Sequence, residues 1–205
     1  MKTLAILTVP ALAALMIGCS ETPNTETKKA AAKPPEPVTG QSALFKMFQV
    51  ARAWSGDVEV LNMHSIFLSD VPSVAGKAAA WEATFAYPAK AAQKSWTFSV
   101  IEGPGNLHEG VFGGSESSWS ASSAAFPAFL IGAVKTDTDA AYETAKGKAA
   151  EAAKKNEGKP ISFLLETDKK HPNPVWRVIW GESLGASGLS VYVDATTGAY
   201  LETMH

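Results

Sequence analysis

The sequence predicts an α+β fold made of two α-β-β-β modules, each a helix packed on an antiparallel sheet. Three observations carry this. Two stretches place apolar residues at helical spacing, a run of short strand-like segments follows each of them, and the two runs echo each other in order.

The first helix is expected from about Ser42 to Trp54, where Leu44, Met47, Phe48, Ala51 and Trp54 fall on one face. Ser42 is the natural cap, and Gly56 stands where a left-handed residue ends a helix. Strands are expected over 58–67, 79–87 and 95–101, with Trp81, Ala83, Phe85 and Tyr87 sharing one side of the second. Glu102-Gly-Pro-Gly-Asn106 reads as a turn, and a short strand over 107–112 closes a hairpin. Residues 113–125 are mostly Gly, Ser and Ala, which makes them the best candidate for a connection between modules. The apolar run 126–134 fits no single period.

The second helix is expected from about Thr138 to Asn156, capped by Asp137 or Asp139, with Tyr142, Ala145, Ala149 and Ala152 on one face. Gly158 and Pro160 stop it. Strands follow over 161–166, 175–180 and 189–194, then a last one over 199–203 after the turn at Ala195–Gly198. Trp81-Glu-Ala-Thr-Phe matches Trp176-Arg-Val-Ile-Trp, and Trp96-Thr-Phe-Ser-Val matches Leu189-Ser-Val-Tyr-Val, at offsets of 95 and 93 residues.

The beginning of the chain is of a different kind. Lys2 is followed by an uncharged apolar run over residues 4–17, closed by Gly18-Cys19, the layout of an export signal. As a helix that run would span only about 21 Å, short of a hydrocarbon core of about 30 Å. Met16-Ile17-Gly18-Cys19 resembles the lipobox of bacterial lipoproteins, with Met where the family prefers Leu. The resemblance implies cleavage after residue 18, diacylation of Cys19 and membrane attachment through that lipid. Ser20 after the Cys implies the outer membrane, facing the periplasm. Cys19 is the only cysteine of 205 residues, so it forms no disulfide within the chain, and acylation is the simplest account of it. Residues 19–40, rich in Pro, Thr, Lys and Glu, read as a disordered tether. The expected organisation is therefore signal 1–18, tether 19–40, first module 41–114 and second module 115–205.

The second module resembles a PepSY-type domain. The resemblance rests on a helix rich in Ala and Lys, on Val175-Trp-Arg-Val178, and on Val191-Tyr-Val-Asp-Ala-Thr-Thr-Gly-Ala-Tyr200. It covers about a third of the chain, and the first half lacks the Asp-Ala-x-Thr-Gly turn. It implies a small α/β domain of exported proteins associated with protease regulation and inhibition, without catalysis. In the turn, Asp194 is placed to accept from the backbone after it, and Gly198 to take a positive φ.

Reaction machinery is sparse. Gly181-Glu-Ser183-Leu-Gly185 has the spacing of a nucleophile elbow, but no helix-forming segment follows it, and only His205 lies beyond it as a base. His64, His108, His171 and His205 show no metal-ligand spacing, and no metal or cofactor is expected. With 18 Lys and Arg against 20 Asp and Glu, no basic stripe points to nucleic acid. Trp81, Trp96, Trp176 and Trp180 read as core. Trp119, in a Ser-rich stretch, either packs over the sheet or anchors a partner. Two functions stay open: a lipid-anchored envelope module that binds or regulates a protein such as a protease, or a small-ligand carrier or enzyme with a pocket between the modules.

Overall fold

The computed structural model describes residues 34–122, 126–183, 185 and 187–204. Cys19, the segment expected as an export signal and His205 lie outside the described residues, and the expected tether gives way to ordered structure at Val38, two residues before its expected end. The described chain enters through β1 (Val38–Thr39), which leads directly into α1 (Gly40–Trp54). Four strands of one sheet follow: β2 (Glu59–Ile66), β4 (Ala80–Tyr87), β5 (Ala92–Ser99) and β6 (Gly110–Ser118), with the two-residue β3 (Lys77–Ala78) paired to β1. Then come α2 (Thr138–Lys148), α3 (Ala150–Lys155) and four more strands: β7 (Ile161–Glu166), β8 (Val175–Trp180), β9 (Leu189–Asp194) and β10 (Tyr200–Met204).

All eight longer strands form one antiparallel sheet in the order β10-β9-β8-β7-β2-β4-β5-β6. Its middle is the pairing of β2 with β7, where Met63 lies opposite Leu165. The fold is therefore α+β with a dominant antiparallel sheet. A helical segment followed by four strands of this sheet occurs twice along the chain, and the two sets meet at their first strands.

Both helical segments lie on the same side of the sheet. α1 packs on β4, β5 and β6, and α2 on β8, β9 and β10. Period-two alternation aims Trp81, Ala83, Phe85, Trp96 and Phe98 at α1, and Trp176, Val178, Val191 and Val193 at α2. One continuous core results, in which Trp81 and Trp176 are wholly buried and Trp96 and Trp180 nearly so, as their strand positions predict. Each such side chain removes enough apolar surface from water to contribute roughly 1.5–3 kcal/mol.

Several elements differ from expectation. α1 starts at Gly40, two residues before Ser42, and its cap position, Thr39, makes no side-chain bond. The free N–H groups at its start are served from far along the chain: Gly40 N donates to Thr138 Oγ1 (2.8 Å) and Gln41 N to Asp137 Oδ1 (2.8 Å). Gly56 does not adopt the left-handed conformation, and α1 ends on extended Ser55. The second helix divides at Ala149 (φ −113°, ψ 36°), two residues after Gly147, whose missing side chain weakens helical preference there. β6 runs on to Ser118, so residues 113–118 of the Gly/Ser stretch expected as a connection are strand. Backbone hydrogen bonds to β5 hold it without needing apolar side chains. The run 126–134 joins the sheet at a single bridge, Phe129 to Val60, before a 3₁₀ turn at Ile131–Ala133.

Candidate binding face

Among the described residues, the side of the sheet away from α1 and α2 carries no packed helix, and register sets which side chains it presents. Residues opposite one another in an antiparallel ladder project on the same side. One row crosses all eight strands. The first half supplies Phe112, Thr97, Glu82 and His64, and the second continues with Leu164, Arg177, Tyr192 and Glu202. The neighbouring row on the other side runs through Met63, Leu165 and Trp176, which are fully buried. The sequence thus sorts alternate residues into a core row and an open row.

The second half of the open row is fixed by a network of contacts. Arg177 Nε donates to Ser190 Oγ (3.1 Å), and its guanidinium lies 5.3 Å from the centroid of the Tyr192 ring. The His171 ring stacks against the same tyrosine at 6.3 Å. His171 Nδ1 pairs with Asp168 Oδ2 at 2.8 Å, while Asp168 Oδ1 accepts from the N–H groups of Lys170 (2.8 Å) and His171 (2.7 Å). Lys170 pairs with Glu202. Burial raises the Tyr192 hydroxyl above its ordinary range, against the pull of Arg177. Burial likewise raises Glu166, again opposed by Arg177. For Asp168 burial acts upward too, but the hydrogen bonds from His171 and Lys170 outweigh it and the carboxyl is lowered.

The turn expected around Asp194 is built as its residues suggest. Asp194 Oδ1 accepts from the N–H groups of Thr196 and Thr197 (2.8 Å each), and Asn173 Nδ2 donates to Oδ2 (2.9 Å). Gly198 takes φ +76°.

A second feature lies at the seam between β2 and β7, a cleft of about 320 Å³ lined by His64, Ser65, Leu164, Ile179, Glu182 and Ser183. Ser183 stands in a bend after β8, and the structure places it in the same cleft as His64; His205, the base that sequence order suggested, lies outside the described residues. No hydrogen bond joins His64 and Ser183 among the described residues. Sequence reading misses this juxtaposition because nothing local to either residue specifies that β2 and β7 are neighbours. Among the described residues, no group of His, Cys, Asp and Glu is arranged to hold a metal ion. His108 instead pairs with Glu102 at 3.1 Å on the surface.

Trp119 is not in the open row. It follows β6, its backbone N–H donates to Ala91 O (2.7 Å), and its side chain is half-buried, with the indole nitrogen enclosed and without a hydrogen-bond partner among the described residues.

No family model matches the chain, and no curated protein matches it. Among solved structures, the crystal structure of a "putative lipoprotein" from Clostridium difficile 630 is similar at a TM-score of 0.47 and 8% identity, over 79% of this chain and 91% of that one.

Proposed function

We propose that the chain is a lipid-anchored binding module of the cell envelope, which holds a protein partner against the open face of its sheet and carries out no reaction itself. The observation that carries this is the row from Phe112 to Glu202, on which no helix packs among the described residues, with Arg177 and Tyr192 held in place by neighbours of their own. Arginine and tyrosine are the side chains that anchor interfaces, and groups ordered before binding lose less freedom on association. The lipobox resemblance at Cys19 supports the anchor, with Ser20 favouring the outer membrane and a periplasmic orientation. The PepSY resemblance, and the recurrence of a helical segment with four strands, support tandem modules and a protease as the partner to be regulated.

The anchor is tested by labelling cells with radioactive palmitate. The label is expected on the native chain and absent from Cys19→Ser. The face is tested by capturing envelope proteases with the native protein and with Glu82→Lys/Arg177→Glu. Native capture with at least tenfold loss in the double variant supports the reading. Equal capture by both, or none by either, overturns it.

The seam cleft favours a second reading, a small-ligand site where the two halves meet, because apolar Leu164 and Ile179 converge there with His64, Glu182 and Ser183. Thermal shifts on screening small carboxylates and amides, abolished by His64→Leu and Ser183→Val, would favour it over the first.

A further inference from the structure

The helical side of the molecule carries apolar surface that the fold itself does not cover. Phe45 of α1 is 54% exposed and Leu130 67%. Phe45 and Ile131 line one shallow groove, and a second runs on past Phe48 to Arg52. The core-facing positions of α1 are Ala43, Leu44, Met47 and Ala51, so Phe45 and Arg52 lie around the helix from them, toward solvent.

Charge is uneven in the same direction. α1 holds Lys46 and Arg52 and no Asp or Glu. Together α1, α2 and α3 carry six Lys or Arg against three carboxylates, in a chain with 18 against 20 overall. The helix layer is therefore net positive while the whole chain is net negative. No helix among the described residues is long and apolar enough to cross a membrane, so this surface lies on whatever it meets.

We infer that this patch of α1 and the 130–131 turn docks on the surface of an anionic lipid bilayer. The inference rests partly on the anchored reading above. Only 20 residues stand between Cys19 and Gly40, the first residue of α1. A lipid at Cys19 places the patch within about 70 Å of the bilayer even with that segment fully extended. Tethering at that range raises the effective concentration to roughly millimolar, so a patch too weak to hold the protein alone is enough. Asp137, the one charged residue of the first groove, is engaged by the N–H groups of Gln41 and Thr138, whereas Phe45 shares the second groove with Arg52. Exposed aromatic surface beside a cation is the chemistry of such contacts, and the pairing of an acyl chain with a basic patch gives stable attachment where either alone is marginal. Docked this way, the helix layer faces the lipid and the open row faces away from it.

The test uses residues 34–205, which contain every described element and the whole core, and which lack both the apolar leader and Cys19. Sedimentation with phosphatidylglycerol vesicles is expected to carry down at least fivefold more protein than with phosphatidylcholine vesicles. Phe45→Ser/Leu130→Ser, with an unchanged far-UV circular dichroism spectrum, is expected to cut that binding about tenfold. No binding at millimolar lipid, or binding that the double variant leaves unchanged, overturns the inference. So does a native dimer that the double variant dissociates, since a second copy would then be what covers the patch. Because this fragment has no residue 19, its result stands apart from palmitate labelling of the full chain.

Discussion

Trp81 and Trp176 perform the same task in the two halves of the chain. The indole N–H of Trp81 donates to the carbonyl of Val38 (3.2 Å), two residues before α1 begins, and that of Trp176 to the carbonyl of Thr136 (2.8 Å), two residues before α2 begins. Each tryptophan thus satisfies its one polar atom while fixing where its own helix enters the core. The two indoles also approach each other's territory, since both come close to Gly40.

Gly40→Ala tests how tightly that junction is closed. A Cβ there would sit 2.7 Å from Thr138 Cγ2, 2.8 Å from Trp176 Cη2 and 3.2 Å from Trp81 Cη2. Overpacking of this kind costs about 1–3 kcal/mol. Urea unfolding is expected to show a lower midpoint in a single transition, because the strained residue belongs to both halves.

Asp137→Ala removes one carboxylate from two helix starts. Its Oδ1 accepts from Thr138 N (2.7 Å) at the start of α2 and from Gln41 N (2.8 Å) in the first turn of α1. Losing a single cap costs about 0.5–2 kcal/mol. The expected loss is therefore larger than for Asp139→Ala, which deletes only the bond to Ala140 N, and denaturant titration of the two variants compares them directly.

Acid is expected to weaken the turn at Asp194. Burial acts to raise this carboxyl, but the hydrogen bonds from Asn173, Thr197 and Thr196 prevail and lower it below the ordinary aspartate range. A depressed folded-state pKa means that the stabilisation is complete above the unfolded value, about 3.9, and is lost as pH falls through the folded one. Plotted against pH, the difference in urea midpoint between native protein and Asp194→Asn should be constant near neutrality and shrink below about pH 4.

Trp119→Phe separates packing from polarity at that site. The enclosed indole N–H finds no partner among the described residues, and an unsatisfied buried donor costs about 1–3 kcal/mol. Phenylalanine keeps most of the ring and deletes the donor, so the melting temperature is expected to hold or rise. Trp119→Ala, which deletes the ring as well, is expected to lower it.

Strands β7, β8 and β9 have the very bounds that their apolar alternation predicts, since Phe163, Leu165, Trp176 and Val178 each announce a buried side. The strand expected over 107–112 instead spans Gly110–Ser118, because Gly113, Gly114, Ser115, Ser117 and Ser118 say nothing about sidedness, although a backbone ladder does not depend on them. The start of α1 is not legible locally for another reason. Ser42 offers a cap, whereas the groups that serve its first N–H groups, on Asp137 and Thr138, lie 96 and 98 residues away. The open row was half legible: Glu82, Thr97, Arg177 and Tyr192 could be assigned to the outward side of their strands by period two. That His64 stands next to Leu164, joining two runs of strands into one surface, depended on a long-range pairing that no periodicity encodes.

The central ladder of this sheet has a consequence for how the chain matures. Ser65 accepts a hydrogen bond from Phe163 N, and 98 residues separate them. Contacts so distant in sequence close slowly, because the loop entropy is spent before the reward arrives. The middle of the sheet therefore cannot knit until β7 has been synthesised, although every strand of the first half is already complete by then.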